Sequence, residues 1–445
     1  MKLRSRIEFF LAKIAGRDID VNTLIPPGAT TMIEKLMLET SDRIDRIDRG
    51  FTSLEKVKDY LYEAYYDNLD YYEAYKYFSS GEDIGNVGAC SAARNGQFYG
   101  RNLDWLYNNQ AEFIVHTSRS AGKYATIGVA GGMPALTEKF VSSGKYSKEY
   151  KIVPFRLYDG INECGVIANM NVVPLDKGSN RSIPTVSSKV TVSGNMLVRY
   201  LIDHFATAAD AVKFVREHMT IYFSKSLHDL GYELHFMVAD KTQTFLIEFI
   251  DNEAVVTEMT EDADTTLAGK EYMTNFFLSD VVFNDDGTVF TPADDDGNAI
   301  DDNNITPHGS GLERYNYIVE NIDSANTKAG MRTMMNGLFY SKAYPTSESP
   351  ASPAWCTEFV GIGKLTAGSP AVDFDPVFSV VGGIYANRNR DNSDVWHTVH
   401  SAVYDIGNKT LNIVVQEDGE ELNFALGDTI ESLKERIAAL EESNL

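Results

Sequence analysis

Gly88-Ala89-Cys90-Ser91-Ala92-Ala93-Arg94-Asn95-Gly96-Gln97-Phe98-Tyr99-Gly100-Arg101-Asn102-Leu103-Asp104-Trp105 is the stretch on which the fold turns. Asn95-Gly96 is a strong hairpin signal. With a turn at Arg94-Asn95-Gly96, one strand runs outward from the cysteine and a second returns. Their pairing brings Arg101 or its neighbours close to Cys90. A thiol is a weak nucleophile until its pKa falls, and a nearby guanidinium lowers it. Asp104, three residues past Arg101, can orient the arginine or an ammonium group. On spacing alone, an inert buried cysteine beside a surface salt bridge explains the same residues, so both readings stand at this point.

Downstream, short β-branched and aromatic runs alternate with turn signals, as in Phe113-Ile114-Val115-His116 and Gly165-Val166-Ile167-Ala168-Asn169. Leu234–Val238 and Phe245–Phe249 flank Ala239-Asp240-Lys241-Thr242, which reads as a hairpin turn. Helical patterns occupy about 194–218, 310–336 and 428–441. Strands, then helices, then strands again indicate α+β layers rather than alternating βαβ units. Upstream, residues 1–89 read as helical. Ile7, Phe10, Leu11 and Ile14 share a face, Pro26-Pro27-Gly28 breaks the pattern, and eight of the 24 tyrosines fall between Tyr60 and Phe78. Tyr62, Tyr65, Tyr66, Leu69, Tyr72 and Tyr75 recur at helical spacing. They suit a helix docked on a core, or an aromatic wall beside an apolar substrate site.

Forty Lys+Arg against 64 Asp+Glu leave a net charge of −24. Without clustered basic residues the chain is a poor binder of nucleic acid. An anionic membrane leaflet repels it too. Three cysteines make an unlikely disulfide framework; Cys164 and Cys356 read as structural. His397 and His400 stand three residues apart on a strand-like run, a spacing that does not point both rings at one zinc ion. Asn284–Asn304 carries seven aspartates and reads as an acidic surface insertion. Its Asp294-Asp295-Asp296-Gly297 run lacks the full calcium-loop ligand set. No phosphate-binding Gly-rich loop is present, so neither metal nor cofactor is expected. The N-terminus lacks a clean signal peptide and no stretch is apolar enough to span a bilayer, which suggests a cytoplasmic protein.

Cys90, Gly100-Arg101-Asn102-Leu103-Asp104, Asp159-Gly160-Ile161-Asn162-Glu163-Cys164-Gly165-Val166, Leu234-His235-Phe236 with Asp240 and Glu248, and Met273-Thr274-Asn275 together resemble the choloylglycine hydrolase family. The likeness spans about residues 88–415. It implies a four-layer αββα sandwich of the N-terminal-nucleophile hydrolase class, with amidase activity on linear C–N bonds. By that resemblance Cys90 is the nucleophile, and its freed α-amine the base. Arg101 sits beside the thiol and Asp104 holds the amine. Asn275 and Asn171 donate to the oxyanion, with Asn169 the alternative to Asn171, and Arg314 in Gly311-Leu312-Glu313-Arg314-Tyr315 is the later arginine of the site. Bile salt and penicillin V acylases expose their cysteine by losing a methionine or short leader, whereas here 89 residues precede it. The acid ceramidase branch resembles this arrangement, implying a pro-segment (1–89) cut at Ala89–Cys90 and retained by the amidase domain (90–445). Expected partners are an N-acyl amide substrate, that pro-segment and, peripherally, lipid aggregates; homo-oligomerisation is open. Trp105, Tyr62, Tyr65 and Tyr66 are the expected substrate-facing aromatics. A non-catalytic lipid-binding protein is the minor alternative.

Overall fold

The structure, a computed structural model, describes residues 88–105, 111–117, 119, 124–130, 156–174, 190–222, 232–250, 253–291, 293, 309–339, 354–358, 379–387, 397–415 and 421–428. The expected pro-segment helices, Tyr62, Tyr65 and Tyr66, the Asp294–Gly297 run and the 428–441 helix, apart from its first residue, lie outside them. In chain order the strands are β1 (Gly88–Asn95), β2 (Phe98–Trp105), β3 (Ala111–Thr117), β4 (Thr126–Ala130), β5 (Leu157–Asn162), β6 (Ile167–Pro174), β7 (Val190–Ser193), β8 (Met219–Tyr222), β9 (Tyr232–Ala239), β10 (Thr244–Ile250), β11 (Glu253–Glu258), β12 (Tyr272–Met273), β13 (Asn275–Phe276), β14 (Gly309–Ser310), β15 (Ala354–Glu358), β16 (Ser379–Asn387), β17 (His397–Asp405), β18 (Thr410–Val415) and β19 (Glu421–Ala425). Four α-helices are described: α1 (Leu197–His204), α2 (Ala208–His218), α3 (Leu312–Asn321) and α4 (Lys328–Gly337).

Two antiparallel sheets form the centre, one ordered β12-β1-β2-β17-β18-β19 and the other β11-β10-β9-β6-β5-β4-β3-β16-β15. Side chains of β9 and β10 alternate as the pleat requires. Leu234, Phe236, Val238, Phe245, Ile247 and Phe249 face a core shared with α1 and α2. Met237, Ala239 and Leu246 face a second core shared with β2, β17, α3 and α4. The layers are therefore helix, nine-stranded sheet, six-stranded sheet, helix: the α+β, four-layer αββα sandwich that the resemblance implies. Among the described residues no helix is long and apolar enough to cross a membrane.

Local chemistry sets the joints. In the first hairpin Asn95 still pairs with Phe98, so the loop is Gly96-Gln97, with φ of +59° at Gly96. The turn lies one residue later than expected, because the first loop position of this turn takes a positive φ that glycine adopts freely. The β9–β10 turn is where the sequence places it. Asp240 Oδ1 accepts from the Thr242 and Gln243 amides, and Oδ2 accepts from the Ala208 amide at the start of α2. The helical patterns over about 194–218 and 310–336 are each divided between two α-helices. Thr207 caps α2 by accepting from the Asp210 amide, and Thr327 caps α4 by accepting from the Gly330 amide. Each cap is worth about 1 kcal/mol.

Candidate active site

Strand register assembles the site. Cys90 pairs with Leu103 and Ala92 with Arg101, so Cys90 and Arg101 are diagonal neighbours on one face of the hairpin. Arg101 Nη2 lies 3.7 Å from Cys90 Sγ and also donates to the Met170 carbonyl at 3.1 Å. Its guanidinium sits 5.3 Å from the centre of the Tyr158 ring. Asp104 pairs with Ala89 and, one residue on from Leu103, takes the opposite face. There its Oδ1 accepts from Thr398 and its Oδ2 from Arg314 Nη1 at 3.1 Å.

Arg314 ties these faces together. It stands on the first turn of α3, donates from Nη1 to the Cys90 carbonyl at 2.7 Å, and from Nη2 to Asn275 Oδ1 at 2.6 Å. Gly311 precedes it at a φ of +106°, where an added Cβ would come within 2.8 Å of Arg314 Nη2. Glycine is required there both for conformation and for space. Asn275 Oδ1 also accepts from the Cys90 amide at 2.7 Å, while its Nδ2 donates to the Val172 carbonyl.

Behind Arg101 lies a buried network absent from the sequence reading. Arg101 Nε is 3.4 Å from Asp159 Oδ2, and His400 Nε2 is 3.1 Å from both Arg101 Nη1 and Asp159 Oδ2. The Tyr404 hydroxyl donates to Asp159 Oδ1. A second chain runs through amides: Tyr99 donates to Asn169 Oδ1, Asn169 Nδ2 to Asn171 Oδ1, and Asn171 Nδ2 to the Thr274 carbonyl at 3.0 Å. The carbonyl at its end can only accept, so it fixes which way both asparagine amides point.

The six residues expected to share a catalytic site are thus brought together. The Cys90 amide donates to Asn275 Oδ1, and Asp104 accepts from Arg314 and Thr398. Asn275 and Asn171 each give an N–H to a backbone carbonyl, because in the continuous chain those buried carbonyls must be satisfied. Asn169, the alternative to Asn171, donates to Asn171 Oδ1. Trp105 closes β2 opposite Gly88 and His397, and its side chain, like those of Ala89 and Cys356, is outside the described set. Cys164 is exposed in the turn after β5, beside Tyr124. Among the described residues no three His, Cys, Asp or Glu side chains gather as a metal site.

The electrostatics follow from burial. Cys90 is 1% exposed. Burial pushes its thiol above the ordinary value. The Arg101 cation opposes this most strongly, Asp104 adds to it, and Arg314 and the Val172 amide oppose it further. Burial also pushes Asp159 upward, but His400, Arg101 and Tyr404 together outweigh it and hold the carboxyl below the usual range. The result is a neutral resting thiol beside fixed cations that favour the thiolate. Such a site can attack a carbonyl once a base removes the proton.

The residues missed by sequence reasoning left unequal signals. Asp159, His235 and Glu248 stand in the motif blocks but carried no assigned role. His400 was weighed only as a zinc ligand. Tyr404 reaches the site solely because β17 pairs with β2, which no local pattern announces.

The model of the linear amide C–N hydrolases, choloylglycine hydrolase family, matches residues 90–312. Solved structures similar to this chain include a mutant conjugated bile acid hydrolase from Clostridium perfringens, at 11% identity and a TM-score of 0.41, covering 77% of this chain and 94% of that one. Another is penicillin V acylase from Agrobacterium tumefaciens, at 15% identity and a TM-score of 0.35, covering 78% and 87%. No curated protein matches the sequence.

Proposed function

The chain belongs to the choloylglycine hydrolase family of linear amide C–N hydrolases, and on that premise we propose that it is a cysteine amidase of N-acyl lipids that activates itself by cleavage before Cys90. In the activating step Cys90 Sγ attacks the Ala89 carbonyl carbon. The C–N bond breaks, the nitrogen takes the proton and becomes the α-amine, and water hydrolyses the thioester to leave an Ala89 carboxylate. In turnover the amine takes the thiol proton and passes it to the departing amine of the substrate. Water then releases the fatty acid from the thioester.

The observation that carries this reading is how the Cys90 peptide group is held. Its N–H is on Asn275 Oδ1 at 2.7 Å, its carbonyl is on Arg314 Nη1 at 2.7 Å, and its thiol is beside Arg101. Cleavage at Ala89 would leave the new amine where its hydrogen-bond acceptor already stands. An oxyanion donor is typically worth roughly 3 kcal/mol. Each of these amides carries two N–H donors and gives one to a backbone carbonyl, Asn275 to Val172 and Asn171 to Thr274, so supplying the oxyanion donor means aiming an N–H of one of them at the substrate.

Lipid-like substrates — N-acylethanolamines, N-acyl amino acids and fatty amides — are favoured by the aromatic segment 1–89, which on this proposal stays bound and shapes the mouth of the site. Reverse N-acylation shares the acyl-enzyme. A bile salt or penicillin V amidase is the second reading, favoured by the blocks at 159–174 and 234–249. Hydrolysis rates on oleoylethanolamide, N-oleoylglycine, glycocholate and penicillin V separate the two. Faster turnover of the oleoyl amides is expected, and a preference for glycocholate or penicillin V would reverse the assignment.

A further inference from the structure

Two buried side chains converge on one backbone oxygen. The Thr274 carbonyl accepts from Asn171 Nδ2 at 3.0 Å and lies 2.8 Å from His235 Nε2. A carbonyl has no proton to give, so His235 is the donor and its Nε2 carries hydrogen. The far side of the ring is fixed as well. Nδ1 faces Glu248 Oε1 at 3.6 Å, and Glu248 is itself anchored by the backbone amides of Leu278 and Ser279. His235, Glu248, Asn171 and Thr274 are all buried. His235 and Glu248 therefore brace residues 274–279, whose second residue, Asn275, holds the Cys90 amide.

We propose that His235 is a positioning residue for oxyanion stabilisation: by keeping the Thr274 carbonyl satisfied, it lets the Asn171 amide reorient so that an N–H is aimed at the substrate oxyanion. The proposal rests on the reading of Asn171 as an oxyanion donor. Without His235, an Asn171 that turned away would leave a buried carbonyl with neither side-chain donor. That penalty falls in the transition state and not on the resting enzyme, so it lowers kcat rather than weakening substrate binding.

The test uses the processed enzyme and the fastest of the four amides named above. His235→Leu is expected to lower kcat roughly 10- to 100-fold with KM nearly unchanged, from the cost of an unsatisfied buried polar group. His235→Gln, whose amide N–H can occupy the Nε2 position, restores most of the rate. In an Asn171→Leu background, His235→Leu adds no further loss, since the two act through one carbonyl. Wild-type kcat in His235→Leu, a change confined to KM, or losses that multiply in the double variant would overturn the proposal alone. Wild-type kcat in Asn171→Leu would overturn the oxyanion reading and the proposal with it. Should His235→Leu not fold, His235→Asn replaces it, because its amide sits near Nδ1 instead. Slow His235→Asn with fast His235→Gln is expected, and equal rates overturn the proposal.

Discussion

Replacing Asp159 by Asn removes one charge without changing the shape of the side chain, at a point where buried polar and charged groups meet. Arg101 and Asp159 have fully buried side chains 3.4 Å apart. Asp159 also accepts from the Tyr404 hydroxyl and stands 3.1 Å from His400 Nε2. In Asp159→Asn the amide oxygen can still serve Tyr404, but the amide nitrogen then points donors at Arg101 and His400. Breaking a buried pair from one side typically costs about 3–5 kcal/mol, because the remaining ion is left uncompensated. The loss should depend on pH in one direction. The Asp159 carboxyl is held below its ordinary range, so its contribution is full above that range and fades as pH falls through the depressed value. Urea unfolding of Cys90→Ala and of Cys90→Ala with Asp159→Asn, from pH 8 to pH 3, measures both quantities without chain cleavage intervening. A steady gap of about 3 kcal/mol or more at neutral pH is expected, narrowing only below the carboxylate range. A gap under about 1 kcal/mol, or one that widens on acidification, would refute the reasoning.

Other perturbations separate the roles of the site residues. Arg101→Met removes the main cation opposing the burial of the Cys90 thiol. The thiol should therefore rise further and alkylation by iodoacetamide at neutral pH should slow, as a rate–pH profile would show. Arg314→Met loses contacts to the Cys90 carbonyl, Asp104 and Asn275 at once. Precursor cleavage, followed by pulse–chase, should slow by roughly 100-fold or more. Arg314→Lys should rescue little of it, since a point charge cannot replace a planar fork. Gly128→Ala places a Cβ 2.5 Å from the Asp159 carbonyl oxygen. It should destabilise the fold by about 1–3 kcal/mol in thermal unfolding by overpacking two neighbouring strands.

What could be read without coordinates was local or motif-borne. The hairpin from Cys90 to Arg101 follows from one Asn-Gly step and strand alternation, and the β9–β10 turn follows from Asp240, whose side chain builds it. The one-residue error at Gly96 arose because Asn-Gly suggests a turn without fixing its register. The helix breaks at Thr207 and Thr327 were hidden because capping residues are common within long amphipathic patterns. The residues to which the resemblance gives roles lie together in the structure. Asn275 and Asn171, expected to donate to an oxyanion, each give an N–H to a buried carbonyl that no local pattern announces. His400 and Tyr404 were illegible because their link to Asp159 depends on which strands of two sheets lie opposite one another. That is a property of packing with no period in the sequence.

Self-activation is the central claim, and N-terminal sequencing of both chains of the purified, active wild-type protein, resolved by denaturing electrophoresis, tests it most directly. A chain beginning Cys90-Ser91-Ala92, accompanied by the 1–89 segment and lost in Cys90→Ala, is the expected result. Full amidase activity from an intact chain, or a new terminus at any other residue, would contradict it.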